Sequence, residues 1–106
     1  MDTNKINNPI VKAAIDALQT GDQQAWSALF APDAEFFDDG NARSLDGFTV
    51  SAIGHERFKS IDTVENDGLD IYGQFHSDQW GDFKTYFKFN VNADNKITRL
   101  DIGQAF

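Results

Sequence analysis

From His55 to the C-terminus, apolar and polar residues alternate with a period of two, broken by the turn signals Asn66–Asp67–Gly68, Asp78–Gln79–Trp80–Gly81 and Asn92–Ala93–Asp94–Asn95. A stretch patterned this way has to form antiparallel strands with one buried face. A slip of one residue would turn every side chain to the wrong face, so the register is readable from the sequence. Pairing Phe75 with Phe83 sets Ile71 opposite Phe87 and Leu69 opposite Phe89 on the apolar face. On the other face Asp70 then meets Lys88, Tyr72 meets Tyr86 and His76 meets Asp82. With Asp94–Asn95 as a two-residue turn, Phe89 faces Leu100, Phe87 faces Ile102, and Lys88 meets Asp101, so that an Asp70–Lys88–Asp101 row crosses the sheet.

The apolar face needs a cover, and the first half of the chain supplies it. Asn8 before Pro9 is a helix start, with Ile10, Val11, Ala14, Ile15 and Leu18 as its apolar stripe and Thr20–Gly21 as its stop. Asp22 caps a second helix whose stripe is Ala25, Trp26, Leu29 and Phe30, closed by a turn at Ala31–Pro32–Asp33. Residues 34–38 are predicted as a short aromatic strand, followed by turn chemistry at Asp39–Gly40–Asn41. Residues 44–54 are predicted to hold a short helix or turn presenting Phe48, Val50 and Ile53 inward. The expected fold class is therefore α+β: an N-terminal helical hairpin and a short third helix packed on an antiparallel sheet. At 106 residues the chain makes one domain, residues 7–106, behind a disordered tail expected over residues 1–6.

Charge and composition narrow the partners. A formal charge of −8 repels phosphate backbones and anionic lipid, which excludes nucleic acid and membrane surfaces as expected partners. Met1–Ile10 has no apolar run of signal-peptide length, and no segment reaches the ~20 apolar residues of a membrane span. The absence of cysteine removes disulfides, thiolate nucleophiles and cysteine-ligated zinc, and with the rest points to a cytoplasmic location.

One row interrupts the apolar face. In the inferred register Gly73, Thr85 and Gln104 lie side by side among Ile71, Phe75, Phe83, Phe87 and Ile102, and a two-residue turn at Asp67–Gly68 adds Asp62 to that row. A bulge near Ser60 would instead send Asp62 outward. Small and polar side chains beneath a helical lid are either a ligand cavity or groups that bond to backbone or sit at an open rim. Trp26, Phe30, Phe36 and Phe48 are either part of that cavity's lining or the aromatics that fill it.

Few residues can do chemistry. His76 falls opposite about Lys59, leaving His55 roughly 13 Å along the strand at a rise of ~3.3 Å per residue, too far to share a metal. No metal-ligand spacing, nucleotide-binding loop or nucleophile elbow occurs, and neither a metal nor a cofactor is expected. What remains is general acid or base work by a carboxylate. Asp38, after Phe36–Phe37 at a strand end, is the candidate, because apolar surroundings raise a carboxyl's pKa. The competing reading is that Asp38–Asp39 before Gly40 is ordinary turn chemistry. The opposite sheet face carries Tyr72, Tyr86, Lys88, Arg99 and Asp101, types that suit either a homodimer interface or a solvated face with cross-strand ion pairs.

The order of elements, the stretch from Gly21–Asp22 through Trp26, Leu29–Phe30–Ala31–Pro32–Asp33–Ala34 to Phe36, and the ending Lys96–Ile97–Thr98–Arg99–Leu100–Asp101–Ile102 resemble the nuclear transport factor 2-like superfamily and its SnoaL-like branch. The resemblance implies a cone-shaped domain whose curved sheet wraps a helix-covered pocket, commonly in a homodimer. It implies no single reaction, since one fold hosts many. In the ketosteroid isomerase branch an aspartate base follows the first strand, a position resembling Asp38. That branch's oxyanion-hole tyrosine falls on Ala14 and its protonated carboxyl on about Thr85. Losing donors worth ~3–4 kcal/mol each in the transition state argues against steroid isomerisation. A threonine hydroxyl at Thr85 could still donate one hydrogen bond to a ligand. The functional expectation is a pocket for a small, mostly apolar molecule with general-base chemistry at Asp38. The alternatives are a non-catalytic homodimeric interaction or binding module with a self-filled pocket, and a protein adaptor.

Overall fold

Asn8 starts the first helix as a side-chain cap: its carboxamide oxygen accepts from the amides of Ile10 and Val11, and Pro9 sits where no N–H is needed. The computed structural model describes residues 3–105. Helix α1 (Pro9–Thr20) buries Val11, Ala14, Ile15, Ala17 and Leu18 and ends at Gly21, whose φ of 73° is the left-handed turn that glycine favours. Helix α2 (Gln23–Ala28) is capped by Asp22. Strand β1 (Phe30–Asp38) turns through Asp39–Gly40 into the two-residue strand β2 (Asn41–Ala42), and helix α3 (Leu45–Ala52) follows, capped by Ser44. Strands β3 (Glu56–Glu65), β4 (Asp70–Ser77), β5 (Gly81–Val91) and β6 (Ile97–Gln104) complete the chain.

The strands form one sheet in the order β2-β1-β6-β5-β4-β3. The β4–β5 register is the one the alternation dictates, with Asp70, Ile71, Tyr72, Phe75 and His76 opposite Lys88, Phe87, Tyr86, Phe83 and Asp82. Across β5–β6, Phe89, Lys88, Phe87 and Thr85 face Leu100, Asp101, Ile102 and Gln104. Burial alternates along β4, where Ile71, Gly73, Phe75 and Ser77 are buried and their neighbours only half so. The core lies between this face and the helices. It is built on Val11, Ile15, Leu18 and Trp26 from the helices and Phe58, Phe87, Phe89, Ile97 and Leu100 from the sheet.

Several expectations are corrected. The second helix stops at Ala28, and Phe30 with Ala31–Pro32–Asp33 belongs to β1. That strand pairs with β6 in parallel, so the sheet is mixed, and an irregularity between Phe30 and Glu35 accommodates Pro32. Val50 is exposed at 66 %, because residues two apart on a helix cannot share a face with Phe48; Ile53 is buried as expected, and Thr49 and Ala52 are buried where Val50 is not. Asp94–Asn95 is not a two-residue turn, since a bulge pairs Val91 with Ile97 and the Asn92 amide donates to the Lys96 carbonyl. Within the segment expected as a tail, Ile6 lies in the core, the Thr3 hydroxyl donates to Asp16, and Lys5 Nζ donates to the Ile61 carbonyl. Met1 and Asp2 lie outside the described residues.

The edge strand β3 is held by α1. Gln19 donates to the Phe58 carbonyl at 2.9 Å and accepts from the Phe58 amide at 2.7 Å, covering an edge that would otherwise present free backbone groups. Two register shifts, between Phe58 and Ser60 and between Ile61 and Thr63, bend β3, and curvature of this kind turns a sheet into a wrap.

Candidate functional site

The ends of β1 and β6, α3, the start of β3 and the β4–β5 hairpin line a cavity of about 680 Å³ that opens to solvent. Its apolar lining is Phe48 from α3 with Phe75, Phe83, Phe87 and Ile102 from the sheet, and its rim carries Asp38, Asp39, Glu56, Asp82, Trp80 and Gln104. Pockets of ~300–1,000 Å³ with an apolar floor and a few convergent polar groups are the usual form of small-molecule sites.

Of the residues expected at the site, Asp38, Phe48, Thr85 and Gln104 come together there. Trp26, Phe30, Phe36 and Asp62 do not line it. Trp26 is fully buried, donates its indole N–H to Thr49 Oγ1 at 3.1 Å, and stacks with Phe30 and Phe48 at 5.0 and 6.1 Å between ring centres. Phe36 packs on Phe48 at 4.7 Å. These rings fill one part of the cone, and Phe48 is their face toward the space that remains. Asp62 turns outward on the bulge beside Ser60, whose hydroxyl donates to it at 2.8 Å. The Thr85 hydroxyl is buried and donates to the Gly103 carbonyl at 2.7 Å, so its proton is not free for a ligand, and Gln104 lies exposed at the rim.

Asp38 stands at the end of β1, immediately before the left-handed Asp39 (φ 49°) of the turn into β2. Burial raises its pKa, the neighbouring Asp39 charge raises it further, and the Arg43 guanidinium opposes both. Among the described residues no hydrogen bond or ion pair engages its side chain. Glu56, at the start of β3, was not anticipated. It is half-buried; burial raises its pKa most, a hydrogen bond from the Ser77 hydroxyl (2.9 Å) lowers it, and the charges of Asp38 and Asp78 raise it while that of His55 lowers it. The signal for it was the inward parity of Ser77, which continues the row Ile71, Gly73, Phe75 to the strand end and pairs Glu56 across β3–β4. Trp80, at 73 % exposure, stands at the mouth of the cavity.

Beside the rim, His76 bridges two carboxylates, Nδ1 to Asp82 at 2.7 Å and Nε2 to Asp78 at 2.9 Å. Both ring nitrogens must donate to such acceptors, which favours the imidazolium: the His76 pKa is raised, first by Asp82 and then by Asp78. Lys59 takes the other Asp82 oxygen at 2.7 Å, and the Asp82 pKa is lowered, first by Lys59 and then by His76. The strand partner of His76 is Arg57, not Lys59, and His55 Nδ1 reaches the same Asp78 carboxylate at 3.7 Å. The separation inferred from strand rise thus overlooked that the β4–β5 turn folds Asp78 back between the two rings. Among the described residues no group of histidine and carboxylate side chains is arranged to hold a metal ion.

No protein-family model and no curated protein sequence matches the chain. Many solved structures match it in fold. One is a nuclear transport factor 2-like protein of unknown function from Cytophaga hutchinsonii, 13 % identical, with a TM-score of 0.74 over 93 % of this chain and 89 % of that one. The chain has the nuclear transport factor 2-like fold. A candidate polyketide cyclase from Sinorhizobium meliloti is 22 % identical, with a TM-score of 0.74 over 96 % of this chain and 99 % of that one. The canthaxanthin-binding orange carotenoid protein of Anabaena matches at 17 % identity and a TM-score of 0.73, over 92 % of this chain but 35 % of its own. In this fold the mixed sheet supplies the cavity floor and α3 its lid, and no helix among the described residues is long and apolar enough to cross a membrane.

Proposed function

We propose that this chain is a small-molecule-binding domain of SnoaL-like type, whose cavity takes a small, mostly apolar ligand and whose Asp38 acts as a general base. The observation that carries this reading is the half-buried, unbonded carboxyl of Asp38 at the rim of a 680 Å³ cavity floored by phenylalanine. A carboxylate taken partly out of water and left without donors costs stability, and a raised pKa is what a base working near neutrality needs. The solved structures of similar fold include a candidate polyketide cyclase and a carotenoid-binding protein, which supports a ligand-binding role for a domain of this fold.

The test is NMR with a neutral two-ring probe, 1-naphthalenemethanol, on the full chain. Shifts are expected to concentrate at Phe48, Phe83, Thr85 and Gln104, and the Asp38 carboxyl is expected to titrate above the ordinary aspartate value of ~3.9. Shifts scattered over the surface would overturn the cavity reading, and an Asp38 pKa near 4 would overturn the general base.

A second reading concerns the other sheet face. Lys88 Nζ lies 5.3 Å from the Tyr86 ring centre and 5.9 Å from that of Tyr72, and forms no ion pair with Asp70 or Asp101 among the described residues. Arg99 lies over the Phe37 ring at 4.1 Å while pairing with Asp101 and Glu35. A face with both charge signs and flat aromatic surface is self-complementary across a two-fold axis, and it supports a homodimer through Tyr72, Tyr86, Lys88, Arg99 and Asp101. Sedimentation at high micromolar concentration is expected to give twice the 11.9 kDa chain mass, and a monomer there overturns the dimer.

A further inference from the structure

The rim of the cavity is charged with one sign. Asp38, Asp39, Glu56 and Asp82 line it, and no lysine, arginine or histidine does. These carboxylates are not equally available. Asp82 is taken by Lys59 and His76, and one Asp39 oxygen accepts the Gln104 amide at 3.1 Å. Glu56 accepts only the neutral Ser77 hydroxyl, and Asp38 has no bonded partner among the described residues. Among the described residues Asp38, Asp39 and Glu56 therefore lack a bonded cation, and Asp38 and Glu56 receive no backbone donor either.

We propose that the ligand of this cavity is a cation: an aromatic or alicyclic body, seated on the phenylalanine floor, that carries a protonated amine directed to Asp38 and Glu56. This rests on the small-molecule reading above and names the ligand's chemical class. An ammonium group restores to these carboxylates the stabilisation that burial removed, in a setting of low dielectric where opposite charges attract more strongly than in water. Phe48, Phe75, Phe83 and Phe87 line the cavity, and an aromatic ring attracts a cation placed over its face. A carboxylate or phosphate ligand would meet like charge at the rim with no lining cation to offset it. The formal charge of −8 adds a field that draws cations toward the surface. Arg43 and His55 are the basic groups whose charge reaches the two carboxylates, Arg43 acting on Asp38 and His55 on Glu56, and neither lines the cavity.

The experiment compares three probes sharing one naphthalene body, by calorimetric titration of the full chain at pH 7: 1-naphthylmethylamine, 1-naphthalenemethanol and 1-naphthoic acid. The amine is expected to bind about tenfold tighter than the alcohol, and the acid more weakly than either. In Glu56→Gln and in the Asp38→Asn/Glu56→Gln double variant the ratio of amine to alcohol affinity should fall severalfold. An acid or alcohol that binds at least as tightly as the amine overturns the cationic class and leaves the cavity reading standing. An amine advantage that survives the double variant also overturns it, since the attraction would then come from overall charge. Failure of all three probes at millimolar concentration removes the cavity reading itself, and the cationic class with it.

Discussion

Trp26→Ala is expected to cost about 3–5 kcal/mol of folding stability, the range for removing a large buried aromatic. The side chain is fully buried, so the deletion leaves a void that neighbours cannot close without leaving their own contacts. It also removes the donor to Thr49 Oγ1, which joins α2 to α3, and the ring against which Phe30 and Phe48 pack. The urea midpoint should fall accordingly, and the melting temperature by roughly 4–8 °C per kcal/mol for a domain of about this size. Because a typical domain has only ~5–15 kcal/mol in hand, Trp26→Phe keeps the measurement accessible: it retains part of the ring and loses the N–H, for a smaller drop. Trp80→Ala, at a position 73 % exposed, should stay within about 0.5 kcal/mol of the parent. A Trp26→Ala drop no larger than that of Trp80→Ala would show that the aromatic cluster does not hold α3 in place.

The contrast between the tryptophans also shows what a sequence of this kind reveals. Trp26 sits at helical spacing with apolar neighbours, and such a pattern places a residue in the core. Trp80 lies between two turn residues, where no periodicity acts, and only the structure puts it at the cavity mouth. The β4–β5–β6 register was legible because several pairings agree at once: Phe75 with Phe83, Asp70 with Lys88, Phe89 with Leu100. No comparable check exists for β1. Its Ala31–Pro32–Asp33 reads as a turn, since proline is rare inside sheets. It is tolerated here because β2 pairs only with Phe37 and Asp38, leaving the early part of β1 at an edge.

The site was legible where parity reached it and obscure where backbone irregularity did. Thr85 and Gln104 were placed opposite one another from alternation alone, and Asp38 from its position after the aromatic strand. That Thr85 gives its proton to Gly103 depends on a hydroxyl rotamer, which no pattern encodes. Glu56 is charged, begins its strand, and looks solvated until Ser77 is seen to face inward across from it. Asp62 depended on whether β3 bulges, and nothing local in Lys59–Ser60–Ile61–Asp62 specifies a bulge. The room it needs lies on the next strand, at Gly73, where the missing side chain lets the Ser60 carbonyl approach.

Gly73→Ala is accordingly expected to destabilise the fold by about 1–3 kcal/mol or more, the cost of forcing atoms into a packed interior. A Cβ at this position would run into the backbone carbonyl oxygen of Ser60 and lie 3.2 Å from Phe58 Cδ1. The obstacle is main chain, and β3 cannot simply recede: Gln19 grips Phe58 at both its amide and its carbonyl, and Lys5 holds the Ile61 carbonyl. To admit a methyl group the bulge between Phe58 and Ser60 has to shift or be expelled. Expulsion would reverse the faces of the residues after it and bring Asp62 toward the apolar side, where an unpaired carboxylate is costly. The variant should therefore show both a lower denaturation midpoint and changed amide shifts confined to residues 58–63 and their β4 partners. Gly47→Ala is the counterpart of opposite sign. Gly47 lies exposed within α3, an added Cβ there meets only Ser44 at 3.5 Å, and the substitution should stabilise by about 0.5–1 kcal/mol. Equal stability of Gly73→Ala and the parent would mean that β3 gives way freely. The bulge would then not be what keeps Asp62 off the apolar face.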